Sequence, residues 1–372
     1  MDFDFSDDQM QLREAVNKWV GKGYDFTRRR GIVRAGGFSR EAYTELAELG
    51  LCGLYIPEAH GGMGMGPVEA MVAMEELGRG LVLEPLAHAL IAGAVINAWA
   101  PDAVKTAWLP RIAAGQALVV LAHQERAARY RLDLCATLAT ETKEGTWHIS
   151  GSKSVVPAGD LADALVVPAM AHGRQALFLV ERTAPGVSTR GYVTQDGSRA
   201  AELQLSKAQA TLISMDGLAA LEHAVDIGLA AACAEAVGVM DATLAITVDY
   251  MNQRKQFGVA ISSFQALRHR VADIKMQLEL ARSMSYYASL KLQEPPAERR
   301  AAMARAKYQI GQSMRFVGQQ AVQLHGGIGV TDEYIVSHCF KKLTQLEITF
   351  GDCLHHLGEV SARMQDTAGV FA

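Results

Sequence analysis

The polar and apolar positions first fall into helical order at the start of the chain. Ser6-Asp7-Asp8-Gln9 is a capping box, in which the serine oxygen accepts an early helical amide while Gln9 reaches back to the cap. Leu12, Val16, Trp19 and Val20 then recur at helical spacing, and Phe5 is placed to staple onto Met10. The pattern continues through Glu41–Leu49 and Val68–Leu77, which predicts a helical region to about residue 117. Gly61-Gly62-Met63-Gly64-Met65-Gly66 has the glycines of a dinucleotide loop, but no buried strand of a βαβ unit precedes it, so it reads as a turn between helices.

From residue 118 the period changes. Ala117–Ala122, Thr146–Ser150, Ala164–Val167 and Ala176–Val180 are short apolar or β-branched runs broken by turn residues, as in a small barrel or sandwich. Helical order returns at about residue 216. Leu267, Val271, Ile274, Leu278 and Ala281 make one stripe; Ile310, Met314, Val317, Ala321 and Leu324 make another. Pro295-Pro296 can start the second helix and Gly326-Gly327 can stop it, so long antiparallel helices should pack stripe to stripe. The division expected is 1–117 helical, 118–215 β and 216–372 a helical bundle.

Composition narrows the function classes. With 372 residues and 49% hydrophobic content the chain can fill substantial cores, and a formal charge of −4 gives no global basic field for nucleic acid or anionic membrane. Arg28-Arg29-Arg30 reads as a solvated turn. Five scattered cysteines without CxxC spacing fit reduced thiols in a cytoplasmic protein. The acidic Met1-Asp2-Phe3-Asp4-Phe5 is unlike a secretory signal, and no uninterrupted apolar run reaches bilayer length. His338, Cys339, Cys353, His355 and His356 lack zinc-ligand spacing, so no metal is expected, and no Gly-x-Ser-x-Gly elbow occurs.

Three local sequences carry a resemblance. Leu46 to Glu58 with Gly61-Gly62-Met63-Gly64, then Arg254-Lys255-Gln256-Phe257-Gly258 with Phe264-Gln265, then Gln323-Leu324-His325-Gly326-Gly327-Ile328-Gly329 resemble, in order, signatures of the acyl-CoA dehydrogenases. The resemblance implies a mostly helical α+β fold: an N-terminal helical domain, a central β-barrel or sandwich and a C-terminal four-helix bundle. It also implies FAD, with Arg254, Gln256, Phe257, Gln265, Gln323, Gly326, Gly327 and Glu125 as cofactor residues, those of the bundle reaching the FAD of a neighbouring subunit. A cationic guanidinium suits a diphosphate, and glycine admits close backbone approach. The implied partners are an acyl-CoA, an electron-transfer flavoprotein, and either identical subunits or a second dehydrogenase subunit in a heterotetramer.

The chain also departs from the family. Where the family reads Thr-Glu-Pro-x-Ala-Gly-Ser-Asp, this chain has Gln124-Glu125-Arg126-Ala127-Ala128-Arg129-Tyr130-Arg131, whose arginines meet either phosphates and an acidic acyl tail or surface carboxylates. Val155 and Pro157 replace the tryptophan and threonine that serve the flavin, and proline has no amide hydrogen. The reaction needs a carboxylate to take the proton beside the thioester. Most of the family places that glutamate twenty-five positions after the residue matching His325, which here is Phe350; a second group places it where Gly228 lies. Asp352, Glu235 and Glu347 are the nearby carboxylates, with Asp352 and Glu235 the candidates for base. Phe350-Gly351-Asp352 with His355-His356 resembles a subgroup that works as paired large and small subunits, named for pimeloyl-CoA and steroid side-chain thioesters. Three readings follow: an FAD-dependent α,β-dehydrogenase of an acyl-CoA, a half-site subunit completed by a partner's base, or a flavin monooxygenase or oxidase on the same fold.

Overall fold

Ser6 begins the first helix as its capping box requires. In a computed structural model describing residues 5–143 and 145–364, the Ser6 oxygen accepts from the Gln9 amide and the Gln9 side chain accepts from the Ser6 amide, opening α1 (Asp7–Gly23). The acidic Met1–Asp4 lies outside the described residues. The Phe5 ring stands edge-on to Tyr286 beneath the Arg13 guanidinium, and Met10 is exposed.

Arg28, Arg29 and Arg30 do not form a solvated turn; they lie in α2 (Phe26–Arg34). Arg29 is wholly buried, donating from Nε to the Leu81 carbonyl at 2.9 Å and from Nη1 to Nδ1 of His338 at 3.1 Å. A helix sends successive side chains in different directions, so one of three arginines met the core, where fixed acceptors keep it. Next come α3 (Arg40–Glu48), α4 (Pro67–Arg79), α5 (Leu86–Trp99) and α6 (Asp102–Ala113), with Gly61–Gly66 as the expected turn before α4.

Seven strands follow: β1 (Val119–Leu121), β2 (Leu138–Glu141), β3 (Trp147–Pro157), β4 (Ala164–Ala171), β5 (Arg174–Glu181), β6 (Val187–Val193) and β7 (Arg199–Ser214). They run β1-β4-β2-β3-β7-β5, and β4 also pairs with β5, which closes a barrel of β4, β2, β3, β7 and β5. β1 lies parallel to β4, and β6 is antiparallel to the first half of β7. Buried nearly throughout, β4 explains the continuous apolar run of its sequence.

The chain then forms α7 (Gly217–Gln253), a hairpin of β8 (Lys255–Gln256) and β9 (Val259–Ala260), α8 (Gln265–Lys291), α9 (Pro296–His325), α10 (Ile335–Ile348) and α11 (Cys353–Met364). By contact density the chain divides in two. One unit holds the described residues to Arg29, Pro67–Val82 and Leu229 onward; the other holds Arg30–Gly66 and Leu83–Gly228. Within the first, Ile274, Leu278 and Ala281 of α8 meet Ile310, Met314 and Val317 of α9, with Val237 and Met240 of α7 and Leu343 and Leu346 of α10, so four helices share one core. Both expected stripes face it. Two glycines bring α4 against α7: a Cβ on Gly78 would strike the Glu235 carbonyl, and one on Gly238 the Glu75 carbonyl.

Among the described residues, α7 is the one helix long and apolar enough to cross a membrane, and 67% of its apolar window is buried inside the fold.

Candidate functional site

The second and third signature sequences meet at one end of the bundle. Tyr250, on the last turns of α7, stacks on His325 at the end of α9 with ring centroids 4.4 Å apart, and its hydroxyl donates to the His325 carbonyl at 3.2 Å. Beyond Tyr250 the hairpin turns on Phe257 and Gly258, at φ +54° and +84°, the paired left-handed residues of a two-residue β-turn. That turn leaves Phe257 91% exposed. Arg254, Gln256 and Gln265 are exposed beside it, as are Gln323, Gly326 and Gly327 across the stack. Gly326 has φ +63°, and a Cβ on either Gly326 or Gly327 would meet open space.

These residues fit a dinucleotide approached from outside the chain. Arg254 would offer a cation to phosphate, Gln256 and Gln323 amides, Phe257 an apolar face, and the bare glycines a surface with no side chain in the way.

The turn between α10 and α11 carries Phe350, the position at which the resemblance leads one to expect the base. Phe350 adopts φ +57° and Gly351 φ +113°. A side chain at Gly351 would strike His355 and His356. Lys307 of α9, 1% exposed, donates to the carbonyls of Glu347, Thr349 and Gly351 at 2.8, 2.9 and 2.8 Å. Nε2 of His356 donates to the Phe350 carbonyl at 3.1 Å. Burial lowers the Lys307 pKa to about 8 against the pull of Cys233, Glu347, Cys353 and Asp352, and burial with the charge of Lys307 lowers His356 to about 3, so that ring is neutral at pH 7.

The carboxylates near that turn are engaged. Asp352 is half-buried and accepts from the His355 amide at 2.8 Å, an N-cap for α11. Glu347 accepts from the Cys353 amide at 3.0 Å. Glu235, buried on α7, pairs with Lys342 of α10 at 2.7 Å. Gly228 is buried in α7. Beside the turn opens a cleft of about 370 Å³, lined by Arg315 and Gln319 of α9, Phe340, Leu343 and Thr344 of α10, and Asp352 and Leu354 at the start of α11.

In the other unit Glu125 faces inward. Its carboxylate accepts from Nζ of Lys153 at 2.6 Å, Oγ1 of Thr137 at 2.7 Å and the amides of Ala136 and Thr137 at 2.7 and 3.2 Å. Burial pushes its pKa up, but Lys153, Thr137 and the Ala136 amide prevail and hold it down to about 2. Of the three arginines on this loop, Arg126 reaches Glu202 at 3.4 Å and Arg131 pairs with Asp133 at 2.5 Å, both exposed, while Arg129 lies over the Tyr130 ring. Val155 takes a left-handed φ of +53° and is 40% exposed.

Lys307, Lys342 and Tyr250 were not singled out from sequence. The signal was present for Lys307: it lies three positions before Ile310 and seven before Met314, a charge on the apolar stripe of α9. A lysine at such a position is retained only with partners, and here they are main-chain carbonyls.

Comparisons with known proteins bear on the family and the fold. The family description "Acyl-CoA dehydrogenase, N-terminal domain" matches residues 6–116, and "Acyl-CoA dehydrogenase, C-terminal domain" matches residues 215–364. A short-chain specific acyl-CoA dehydrogenase of Megasphaera elsdenii is 30% identical over 84% of this chain and 86% of its own length. Among solved structures, the steroid ACAD Tcur3481-Tcur3483 has a TM-score of 0.89 at 27% identity, covering 97% of this chain and 99% of that one. A chain in a structure described as the electron transferring flavoprotein of Acidaminococcus fermentans has a TM-score of 0.90 at 27% identity, covering 98% and 99%. Matching fold, ordered signatures and this coverage place the chain in the acyl-CoA dehydrogenase family.

Proposed function

We propose that this chain is the base-lacking, FAD-holding subunit of an acyl-CoA dehydrogenase, completed by a second subunit. Acyl-CoA dehydrogenation, an oxidation of a CH–CH bond with FAD, is the chemistry of its family. One observation carries the finer reading: Phe350 stands on a rigid turn at the base position, while Asp352, Glu347 and Glu235 each hold a structural hydrogen bond or ion pair. FAD, when bound, takes the hydride from the acyl chain. Arg254, Gln256, Phe257, Gln265, Gln323, Gly326 and Gly327 would bind and orient it across a subunit contact, with Glu125 a further cofactor residue that the family resemblance implies. A carboxylate of the partner subunit would take the proton beside the thioester, and an electron-transfer flavoprotein would be the electron acceptor. The steroid dehydrogenase and electron-transferring flavoprotein neighbours support a heteromeric, flavoprotein-linked setting.

The test is expression of the chain alone, a flavin spectrum with the FAD-to-chain ratio, and anaerobic addition of a panel of acyl-CoAs. The reading expects flavin that no thioester bleaches, or flavin acquired only on co-expression with a second subunit. Bleaching by the lone chain sinks it and turns attention to Asp352, which borders the cleft; oxygen consumption during turnover points instead to oxidase chemistry.

A further inference from the structure

The turn at Phe350 is more firmly held than a hydrophobic position requires. Its carbonyls at Glu347, Thr349 and Gly351 use all three donors of one buried ammonium, and its fourth, at Phe350, takes the His356 ring. Burying an ammonium has a large desolvation penalty, and an apolar residue at that site of α9 would fill the core without it. What the ammonium adds is direction: three acceptors converging on one point fix the backbone of a left-handed phenylalanine, a conformation that residue rarely adopts unaided.

We infer that Lys307 is the positioning residue of the catalytic turn, preserving the backbone geometry in which residue 350 can present a carboxylate. The inference rests on the reading of Phe350 as occupant of the base position. Lys307 acts through the turn and touches no substrate. The groups facing it are Cys233 of α7, Glu347 of α10, Asp352 of the turn, and Cys353, His355 and His356 of α11, with the His355 ring pushed below its ordinary value by burial. Of these, His356 is neutral from about pH 3 upward and burial raises the cysteine thiols to about 12, so around pH 8 the ammonium itself is the group that changes charge. Once deprotonated it has two hydrogens for three carbonyls.

The experiment uses the full chain loaded with FAD; where assembly requires the partner subunit, the partner is included with its own base carboxylate replaced by the amide, so that bleaching reports residue 350. Phe350→Glu is expected to let acyl-CoA bleach the flavin bound with this chain. Adding Lys307→Met should slow that reduction at least tenfold while shifting the half-saturating acyl-CoA concentration less than about twofold, because the backbone and not the thioester site is disturbed. In Phe350→Glu the rate should fall above about pH 8, and Lys307→Met should remove that limb. A double variant that reduces flavin as fast as Phe350→Glu overturns the proposal. If Phe350→Glu bleaches nothing, the base-position reading fails, and Lys307 is judged by amide exchange. Lys307→Met in the otherwise native chain should then accelerate exchange at 349–353 at least tenfold without changing α8, and unchanged exchange overturns the positioning role. Should Lys307→Met not accumulate, Lys307→Gln, which keeps two donors, replaces it in both measurements.

Discussion

Removing the Glu125 carboxylate should weaken the β domain by several kcal/mol, by an amount that depends on pH. Glu125 is buried with four donors within 3.2 Å, and its pKa of about 2 lies well below the ordinary carboxylate value of 4.5. A folded pKa below the unfolded one means stability that is present above about pH 4.5 and lost as pH falls toward 2. At about 1.4 kcal/mol per pH unit, that difference amounts to roughly 3 kcal/mol at pH 7. Glu125→Gln keeps the shape but leaves Lys153, 1% exposed, without its anion, and breaking a buried pair from one side costs about 3–5 kcal/mol. The two estimates agree in size. Urea unfolding at pH 7 should therefore show a loss of about 3 kcal/mol for Glu125→Gln, and the wild type should lose a similar amount between pH 5 and 2 while the variant stays flatter. Glu125→Leu with Lys153→Met, which removes both charges, should recover much of the loss. A loss below about 1 kcal/mol for Glu125→Gln, or equal acid sensitivity in variant and wild type, would refute the reasoning.

Two further outcomes follow from the geometry. Phe257→Ala should leave the unfolding midpoint of the chain within about 0.5 kcal/mol of wild type, since the ring is 91% exposed, yet lower the FAD-to-chain ratio of the purified protein measured by absorbance. Lys342→Met should cost about 3–5 kcal/mol in urea unfolding because it strands the buried Glu235 carboxylate; a neutral result would mean that Glu235 is not held by that lysine.

Much of the helical order was legible because burial repeats at helical spacing: Ile274, Leu278 and Ala281, and Ile310, Met314 and Val317, face the core their pattern predicts. The barrel was half visible. β3, β4 and β5 announce themselves as β-rich runs, whereas β2 is mostly exposed, β6 half-exposed with Gly191, and β7 carries charge at Glu202 and Lys207; pairing, not composition, makes these strands. Arg29 was misplaced because nothing in three consecutive arginines tells which one turns inward. The second and third signatures lie at one end of the bundle, where Tyr250 stacks on His325. The turn at Phe350 was not readable, because its shape depends on Lys307, more than forty positions earlier, and on a left-handed φ that phenylalanine does not suggest.

The barrel's closure sets an order on synthesis. β7 alone bridges β3 and β5, so until Ser214 has left the ribosome the sheet has two unpaired edges, and β6 has no partner among the strands already made. Nascent chains stalled between residues 182 and 214 would thus expose raw strand edges next to the apolar β4 and β5. Over this stretch of synthesis the barrel cannot close, and the free edges of β3 and β5 remain open to pairing with other chains until β7 arrives.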